Sequence, residues 1–391
     1  MSKLEELIKE FCPNGVDYKK LNEVCTFNRG TSITSKDANE GNIPVISGGQ
    51  KPAFYHNVSN RPANTITVAG SGAYAGYVAI WDKPIFCADS FSVDIINEEQ
   101  LNKRYLYHYL LSKQSEIFAK KQGAGIPHVH GKDIASLKIP LPALPVQREI
   151  VRILDSFTLY SAELTAELTA RRKQYEFYRD KLLNFNQKEV EIKKLSDIFD
   201  TRNGYTPSTS NKEYWATNDI PWFRVEDIRA NGRILNDSIQ HVSFSAIKGK
   251  VFPANSIIIS TSATIGEHAL ITCESIANQR FTYLMLKDQY KDKYNIKYLF
   301  YYCFLLADFC RENLQQGSFA SVDMSKFNKF EFPIPPIEVQ ERIVKVLDNF
   351  DAICSDLGIG LPAEIEKRQK QYEYYRDKLL TFEEKNNNGE K

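Results

Sequence analysis

Residues 139–157 read IPLPALPVQREIVRILDSF, and residues 332–350 read FPIPPIEVQERIVKVLDNF, 193 positions later. Each block opens with spaced prolines, passes through a glutamine and continues as a run in which apolar residues recur every three or four positions. This pattern predicts a helix that begins at the prolines. Because the block occurs twice, the chain is an internal duplication, and the fold has to be interpreted as a repeat.

The duplication extends to both sides of these blocks. KQYEFYRDKLLNF (173–185) returns as KQYEYYRDKLLTF (370–382), now 197 positions later, so four residues are inserted between the paired blocks. Upstream, VDYKKLNEVCTFNRG (16–30) corresponds to VEIKKLSDIFDTRNG (190–204). The chain therefore contains two variable domains, each followed by a similar helical arm.

These boundaries predict five segments and an α+β fold class. The segments are an N-terminal helical segment at 1–16, a variable domain at 17–138, an arm at 139–189, a variable domain at 190–331, and an arm with the C-terminal tail at 332–391. Strands rich in β-branched and aromatic residues are predicted at Thr65–Ala69, Tyr77–Trp81, Ile257–Thr261 and Phe281–Leu286. Short helices are predicted over 102–121 and 296–313.

The arms predict two long antiparallel coiled-coil helices that hold the tandem mixed α/β domains. The seam of the first arm consists of Leu154, Phe157, Leu164, Leu168, Tyr175, Tyr178 and Leu182. A helix over 147–185 has no proline or glycine and would be about 58 Å long. In the second arm the spacing slips near Leu357, beside Gly358, Gly360 and Pro362, which predicts a kink or break there. We favour a local bulge over a changed arm length.

Composition places limits on the function. The 50 Lys and Arg residues balance 49 Asp and Glu residues, so a DNA-binding face would have to be a local patch. The seven cysteines show no zinc-ligand spacing, which favours reduced thiols. Neither a signal peptide nor an apolar run of about 20 residues is visible, so we expect a soluble cytoplasmic protein without a membrane partner.

At this point the chain resembles the specificity subunits of Type I restriction–modification systems over essentially its whole length. The duplicated proline–glutamine helix starts carry most of the resemblance. NGYTPS (203–208), IPWFRVEDI (220–228), STSATIG (260–266) and QQGS (315–318) look like the second-domain pattern of that family, and QGAGIPHVH (122–130) holds the corresponding place in the first half.

The resemblance implies a non-catalytic chain with two target recognition domains. Each would read one half of a bipartite, asymmetric site in double-stranded DNA. The helical arms would set the spacing and dock two methyltransferase (modification) subunits for adenine N6 methylation, and restriction/translocase subunits would join for cleavage. No cofactor is then expected in this chain, while S-adenosylmethionine, ATP and Mg are expected on the partner subunits.

Motifs for an independent enzyme are missing from the sequence. The [Asp/Asn]-Pro-Pro-[Tyr/Phe] motif of adenine methyltransferases does not occur, and GSGAYAG (70–76) lacks dinucleotide-binding spacing. His128 and His130 have no evident third metal ligand, so no metal site is predicted. The main alternative function is a duplicated coiled-coil scaffold whose variable domains bind proteins; the neutral net charge favours it, whereas the polar loops favour DNA.

Candidate DNA contacts are loop residues of the types that read bases and phosphates. Such loops are also common as ordinary turns. In the first half we predict contacts from Asn28, Arg29, Thr31, Ser47, Gln50, Lys51, Ser71, Tyr74, Gln122 and His128. In the second half we predict contacts from Arg202, Asn203, Tyr205, Arg224, Ser262, Thr264, Asn278, Gln279, Arg280, Gln316 and Ser318.

The near identity of KQYEFYRDKLL and KQYEYYRDKLL predicts that two copies of one partner bind the two arms. The alternative is a solvated helix face held by pairs of charges one turn apart. The predicted partner-interface residues are Gln147, Arg171, Tyr175, Tyr178, Arg179, Gln340, Arg368, Tyr372, Tyr375 and Arg376.

Overall fold

The structure is a computed structural model that describes residues 2–123, 125–186, 190–315, 320–355 and 358–385. The chain forms two compact units: unit 1 is Met1–Glu163 with Ile365–Lys391, and unit 2 is Leu164–Glu364. Each unit contains one variable domain together with parts of both arms. Since the units divide the arms, the boundaries at 138, 189 and 331 stay predictions. Across the described ranges, no helix is long and apolar enough to cross a bilayer.

Unit 1 begins with a short capped helix and builds the first variable domain. Its elements are α1 (Lys3–Phe11), β1 (Asp17–Lys20), α2 (Leu21–Val24), β2 (Cys25–Arg29), β3 (Ile43–Ile46), β4 (Phe54–His56), β5 (Thr65–Ala69), β6 (Val78–Trp81), β7 (Phe86–Cys87), β8 (Ser90–Ile95), α3 (Lys103–Ser112), α4 (Gln114–Ala119), α5 (Gly131–Ile134), β9 (Lys138–Leu141) and the first half of α6 (Leu144–Leu183).

Unit 2 repeats this order. Its elements are the second half of α6, β10 (Glu191–Lys194), α7 (Leu195–Ile198), β11 (Phe199–Asn203), β12 (Ile220–Phe223), α8 (Val225–Asn231), β13 (Ile234–Leu235), β14 (His241–Val242), β15 (Ser256–Ser260), β16 (His268–Ile271), β17 (Ile276–Ala277), β18 (Phe281–Leu286), α9 (Ile296–Glu312), α10 (Met324–Phe327), β19 (Glu331–Ile334) and α11 (Ile337–Ser355). Short 3₁₀ turns lie at Lys212–Trp215, Phe244–Ala246 and Asp288–Tyr290. The last helix, α12 (Leu361–Leu379), lies almost entirely in unit 1.

The two variable domains share one sheet topology, to which the second domain adds a strand, β13, paired parallel to β16. The main sheet has the order β2-β8-β5-β6 in the first domain and β11-β18-β15-β16-β13 in the second. A smaller sheet follows the order β4-β3-β7 in the first and β14-β12-β17 in the second. The pairs β1-β9 and β10-β19 bring the two ends of each domain together. The α+β class predicted from the repeat is confirmed.

The predicted strands and helices mostly coincide with observed ones. Thr65–Ala69 and Phe281–Leu286 are strands with the predicted bounds. The strand predicted at Tyr77–Trp81 begins one residue later, at Val78, and the strand predicted at Ile257–Thr261 lies one residue earlier, at Ser256–Ser260. The single helix predicted over 102–121 is instead two helices, α3 and α4. The reason is local: the N–H of Lys113 bonds the carbonyls of both Tyr109 and Leu110, which ends the regular α-helical pattern.

The two repeated glutamines, Gln147 and Gln340, fasten each arm to its domain. The Gln147 Oε1 atom accepts a hydrogen bond from the N–H of Asn102 at 2.8 Å, and its Nε2 atom donates to the carbonyls of Pro142 (2.7 Å) and Gln100 (2.8 Å). Gln340 repeats the first two bonds with Asn295 N–H (2.9 Å) and the Pro335 carbonyl (2.8 Å). Both glutamines are buried, so the prediction that they contact a partner is wrong.

In unit 1 a second polar group joins the arms to the domain. In unit 1, the Asp155 carboxylate accepts hydrogen bonds from Arg104 (2.7 Å) and contacts the His108 Nε2 atom at 2.8 Å, while His108 Nδ1 lies 3.0 Å from the Tyr372 hydroxyl. Burial lowers the pKa of His108 and raises that of Tyr372. Tyr372 is buried in this group, which corrects its predicted place at a partner interface.

The arms pair as the seam predicted. Helix α6 runs unbroken for 40 residues, whereas α11 ends at Ser355 and α12 begins at Leu361, which confirms the predicted break. In unit 1 the rings of Phe157 and Tyr375 stack at 5.4 Å, and the Arg368 guanidinium lies 5.1 Å from the Tyr160 ring. Residue numbers rise along one helix as they fall along the other, so the pairing is antiparallel.

Candidate nucleic-acid interface

Several loops of the first domain meet beside the segment 85–90, which joins the two sheets. Backbone hydrogen bonds hold them: Gly30 N to Ser90 O (2.8 Å), Thr31 N to Cys87 O (3.0 Å), Ala88 N to Ile46 O (2.8 Å) and Gly70 N to Asp89 O (3.1 Å). The loops that follow β2, β3 and β5 therefore begin next to one another, although 40 positions separate the first from the last.

Two further loops join this edge. The N–H and C=O groups of Gln122 and His128 bond each other at 3.0 and 2.8 Å, and His128 forms a β-bridge with Ser71. The Ser71 hydroxyl also donates to the Asp89 carboxylate. A Cβ atom on Gly48 would lie 2.3 Å from the Ser71 carbonyl oxygen, so the 47–51 loop touches the same place.

The second domain builds the same arrangement with different side chains. Its backbone bonds are Tyr205 N to Ala277 O (2.7 Å), Gly204 N to Phe281 O (2.9 Å), Asn278 N to Phe223 O (3.0 Å), Thr261 N to Arg280 O (2.9 Å), Val322 N to Thr261 O (2.9 Å) and Gln315 N to Ser321 O (2.8 Å). A β-bridge between Ser262 and Ser321 takes the place of the Ser71–His128 bridge. We call these two loop clusters the first and second reading edges.

Glycine is required at one position of each edge. A Cβ atom on Gly30 would lie 2.1 Å from the Ala88 carbonyl oxygen, and one on Gly204 would lie 2.3 Å from the Ala277 carbonyl oxygen. Both distances are far below van der Waals contact. The Arg-Gly and Asn-Gly pairs that the repeat aligns therefore mark a close backbone crossing in each domain.

Most of the predicted DNA-contact residues lie on these edges. On the first edge the structure places Arg29, Thr31, Ser47, Gln50, Lys51, Ser71, Tyr74, Gln122 and His128, of which Tyr74 is 47% exposed. On the second it places Tyr205, Arg224, Ser262, Thr264, Asn278, Gln279 and Arg280. Gln316 and Ser318 lie outside the described residues.

Three predicted side chains are engaged within the sheets instead. The amide of Asn28 donates to the Asp94 carboxylate at 2.8 Å. The Arg202 guanidinium lies 3.9 Å from the centre of the Phe252 ring and donates to the Lys250 carbonyl at 2.7 Å. The Asn203 side-chain oxygen accepts from the Thr282 hydroxyl at 2.9 Å. These contacts give the three residues a structural role in the main sheets.

Comparison with known proteins identifies the family. The family model for the Type I restriction modification DNA specificity domain matches residues 13–171 and again 187–367. The chain belongs to this family. It is a specificity subunit with two recognition domains, a non-catalytic role in a type I restriction–modification system.

Two relatives from Escherichia coli support the assignment. The chain is 33% identical to the EcoR124I/EcoR124II specificity subunit over 98% of its own length and 97% of that protein. It is 54% identical to the EcoprrI specificity subunit, in a match that covers 50% of this chain and 51% of that one. A solved S subunit from M. genitalium has the same fold, with a TM-score of 0.60 at 16% identity, over 94% of this chain and 96% of that one.

In this specificity subunit, the two repeated arginines of the arms are largely enclosed. The Arg179 guanidinium lies 4.6 Å from the Phe304 ring and pairs with Asp180 at 2.7 Å, and its side chain is only 14% exposed. Arg376, 15% exposed, pairs with Asp377 at 2.8 Å. Packing within the chain therefore accounts for the repetition of these arginines without the predicted partner contact.

Among the exposed residues of the repeat is one aromatic position in each arm. Phe177 is 62% exposed and Tyr374 is 61% exposed, and they are equivalent positions of the two arms. Neither is among the predicted interface residues. The signal was nevertheless present: an aromatic residue recurs at a non-seam position in both copies of the repeat.

Proposed function

We propose that each reading edge binds one half of a bipartite, asymmetric site in double-stranded DNA. The observation that supports this most directly is that one backbone arrangement occurs twice with different side chains. Where the first edge carries Ser47 and His128, the second carries Arg224 and Ser321 at the equivalent positions. Equal scaffolds with unequal donors and acceptors suit two different base sequences.

The proposal extends to two modification subunits that bind the arms and carry out adenine N6 methylation. Phe177 and Tyr178 meet edge to face at 5.4 Å and 76°, and Tyr374 and Tyr375 meet at 5.3 Å and 76°. The inner ring of each pair stacks at 23° on a phenylalanine of the opposing helix in its own unit. Two exposed aromatic surfaces of one geometry fit two copies of one partner.

Under this proposal the chemistry resides on the partners. The modification subunits would carry S-adenosylmethionine, and the restriction/translocase subunits would use ATP and Mg. The arms would set the distance between the half-sites, and α6 alone is a helix of 40 residues.

The DNA-reading proposal is tested by sequencing methylated bases in the genome of cells that express the cognate modification subunit with or without this chain. The expected result is N6-methyladenine in one bipartite, asymmetric motif that appears only when this chain is present. A stable complex that adds no methylated motif would contradict the proposal and favour a protein-binding scaffold.

The docking proposal is tested with Phe177→Ser and Tyr374→Ser. Each variant is expected to reduce the number of bound modification subunits from two to one, and the double variant to none, as read by native mass spectrometry. Ile96→Ser is the matched control, because Ile96 is 58% exposed but lies far from the arm repeats in sequence, after β8. Two bound subunits in both single variants would refute the aromatic docking surfaces.

A further inference from the structure

The second reading edge contains a recess beside its loops. It has a volume of about 490 Å³ and is lined by Thr209, Lys212, Trp215, Trp222, Arg224 and Gln240. It adjoins the loops of the edge: the Trp222 indole N–H donates to the Tyr205 carbonyl at 3.1 Å, and the next residue, Phe223, accepts from Asn278 N–H. Two cations line this recess and no carboxylate does.

The arginine of the recess is held in place but keeps donors to spare. Its guanidinium lies 5.5 Å from the Trp222 ring and 4.0 Å from the Glu226 carboxylate, and its backbone N–H bonds Asp227 at 2.6 Å. The Nε atom of Arg224 is buried and has no hydrogen-bond partner among the described residues. A buried donor without a partner costs stability unless a ligand satisfies it.

The aromatic walls are fixed by the backbone. The rings of Trp215 and Trp222 meet edge to face at 4.9 Å, and the Trp215 indole N–H donates to the Ser208 carbonyl at 3.1 Å. Because both indole N–H groups are satisfied, the polar donors that remain in the recess belong to Lys212, Arg224, Thr209 and Gln240. An oriented guanidinium beside the Trp222 ring is suited to a planar group with two acceptors.

The strand register shows what the first domain has at these positions. In the first domain, β3 pairs with β7 through Val45 and Ile46. In the second domain, β12 pairs with β17 in the same way through Trp222 and Phe223. Val45 therefore takes the place of Trp222, and Ser47 takes the place of Arg224. The first edge has neither the aromatic wall nor the cation here, so the recess can act on only one half of a bipartite site.

We propose that the recess reads a guanine in the half-site of the second domain. Arg224 donates to the O6 and N7 atoms of that guanine, which is the base pattern that matches a guanidinium. Lys212 contacts a neighbouring phosphate. The inference rests on the proposed function and adds to it the residue, the base and the half-site concerned.

The test uses the complete chain with its modification subunit and genome-wide sequencing of N6-methyladenine. In Arg224→Gln, the preference for guanine over the other bases at one position in one half of the motif is expected to fall by roughly tenfold to hundredfold. The base preferences of the other half are expected to stay unchanged. Trp215→Phe keeps an aromatic wall and is expected to retain the motif, whereas Trp215→Ala is expected to weaken the same position. Ser47→Ala is the matched control at the equivalent place in the first domain, and it is expected to leave this guanine position unchanged.

The outcomes separate this inference from the function on which it rests. If the unaltered chain directs no bipartite methylation, the proposed function fails. Two outcomes refute the guanine-reading recess when the unaltered chain does direct bipartite methylation. In the first, Arg224→Gln keeps the full preference for guanine. In the second, Arg224→Gln still assembles with its partner but loses methylation evenly, with no single position of the motif relaxed. Arg224→Lys keeps the charge without the paired donors and is expected to relax the same position.

Discussion

Gln147→Ala tests how the arms are joined to the domains. The substitution removes three buried hydrogen bonds: one from the N–H of Asn102 and two to the carbonyls of Pro142 and Gln100. The two lost bonds to the carbonyls contribute about 1 kcal/mol each, and the Asn102 N–H, left buried without a partner, costs about 1–3 kcal/mol, so the local free energy of opening should fall by about 3–5 kcal/mol.

Amide hydrogen exchange on the full chain measures this change. Exchange at 102–106 and 146–154 should accelerate by a factor of about a hundred or more, because each 1.4 kcal/mol corresponds to a factor of ten. The equivalent segments of unit 2 serve as an internal control, and Gln340→Ala should reverse the pattern. Unchanged exchange near residue 147, with the variant's purity and mass verified, would refute the fastening role of the glutamine.

Two further predictions concern the domains themselves. Gly30→Ala and Gly204→Ala should each lower the free energy of unfolding of their domain by about 3 kcal/mol in urea, because the new methyl group overlaps a carbonyl oxygen. Gly125→Ala is the control and should leave it unchanged, because a Cβ atom there meets nothing within 4 Å. Burial lowers the pKa of His268 to about 3, so the folded state favours the neutral ring. The contribution of His268 to the free energy of unfolding of unit 2 should therefore be complete above pH 6.5 and should decrease by about 4 kcal/mol as the pH drops towards 3. His268→Phe should flatten that acid dependence in unfolding monitored by tryptophan fluorescence, and an unchanged slope would contradict the assignment.

The repeat allowed much of the fold to be predicted, since its signals are local. Prolines mark where α6 and α11 begin, Gly358 and Pro362 flank the break before α12, and runs such as Thr65–Ala69 can only be buried strands. Helical periodicity also identified the seam, because it depends on residues three and four positions apart in one helix.

Side-chain environments that depend on distant parts of the chain were not predictable in the same way. Gln147 and Tyr372 are polar residues on a long helix, and no local pattern shows that their partners are Asn102 and His108. The recess was missed for the same reason: Trp215 belongs to a short 3₁₀ turn, and only the fold brings it to Trp222 and Arg224.

The reading-edge residues were selected from composition, and the fold explains why most of that selection lies together. Turn-forming glycines such as Gly30 and Gly204 occur where the backbone crosses another strand end, and those crossings gather the loops. Arg202 has the same composition signal, but its guanidinium contacts the Phe252 ring and the Lys250 carbonyl, which only the fold brings beside β11.

The most direct test of the central claim, that the two domains of one chain read the two halves of one DNA site, is a paired comparison of methylated motifs. Lys51→Ala alters an exposed side chain of the first edge, and Arg280→Ala alters one of the second. The account predicts that each variant, expressed with the modification subunit, changes methylation preference in one half of the motif, and that the two halves differ. Changes in the same half, or in neither half while methylation persists, would contradict it.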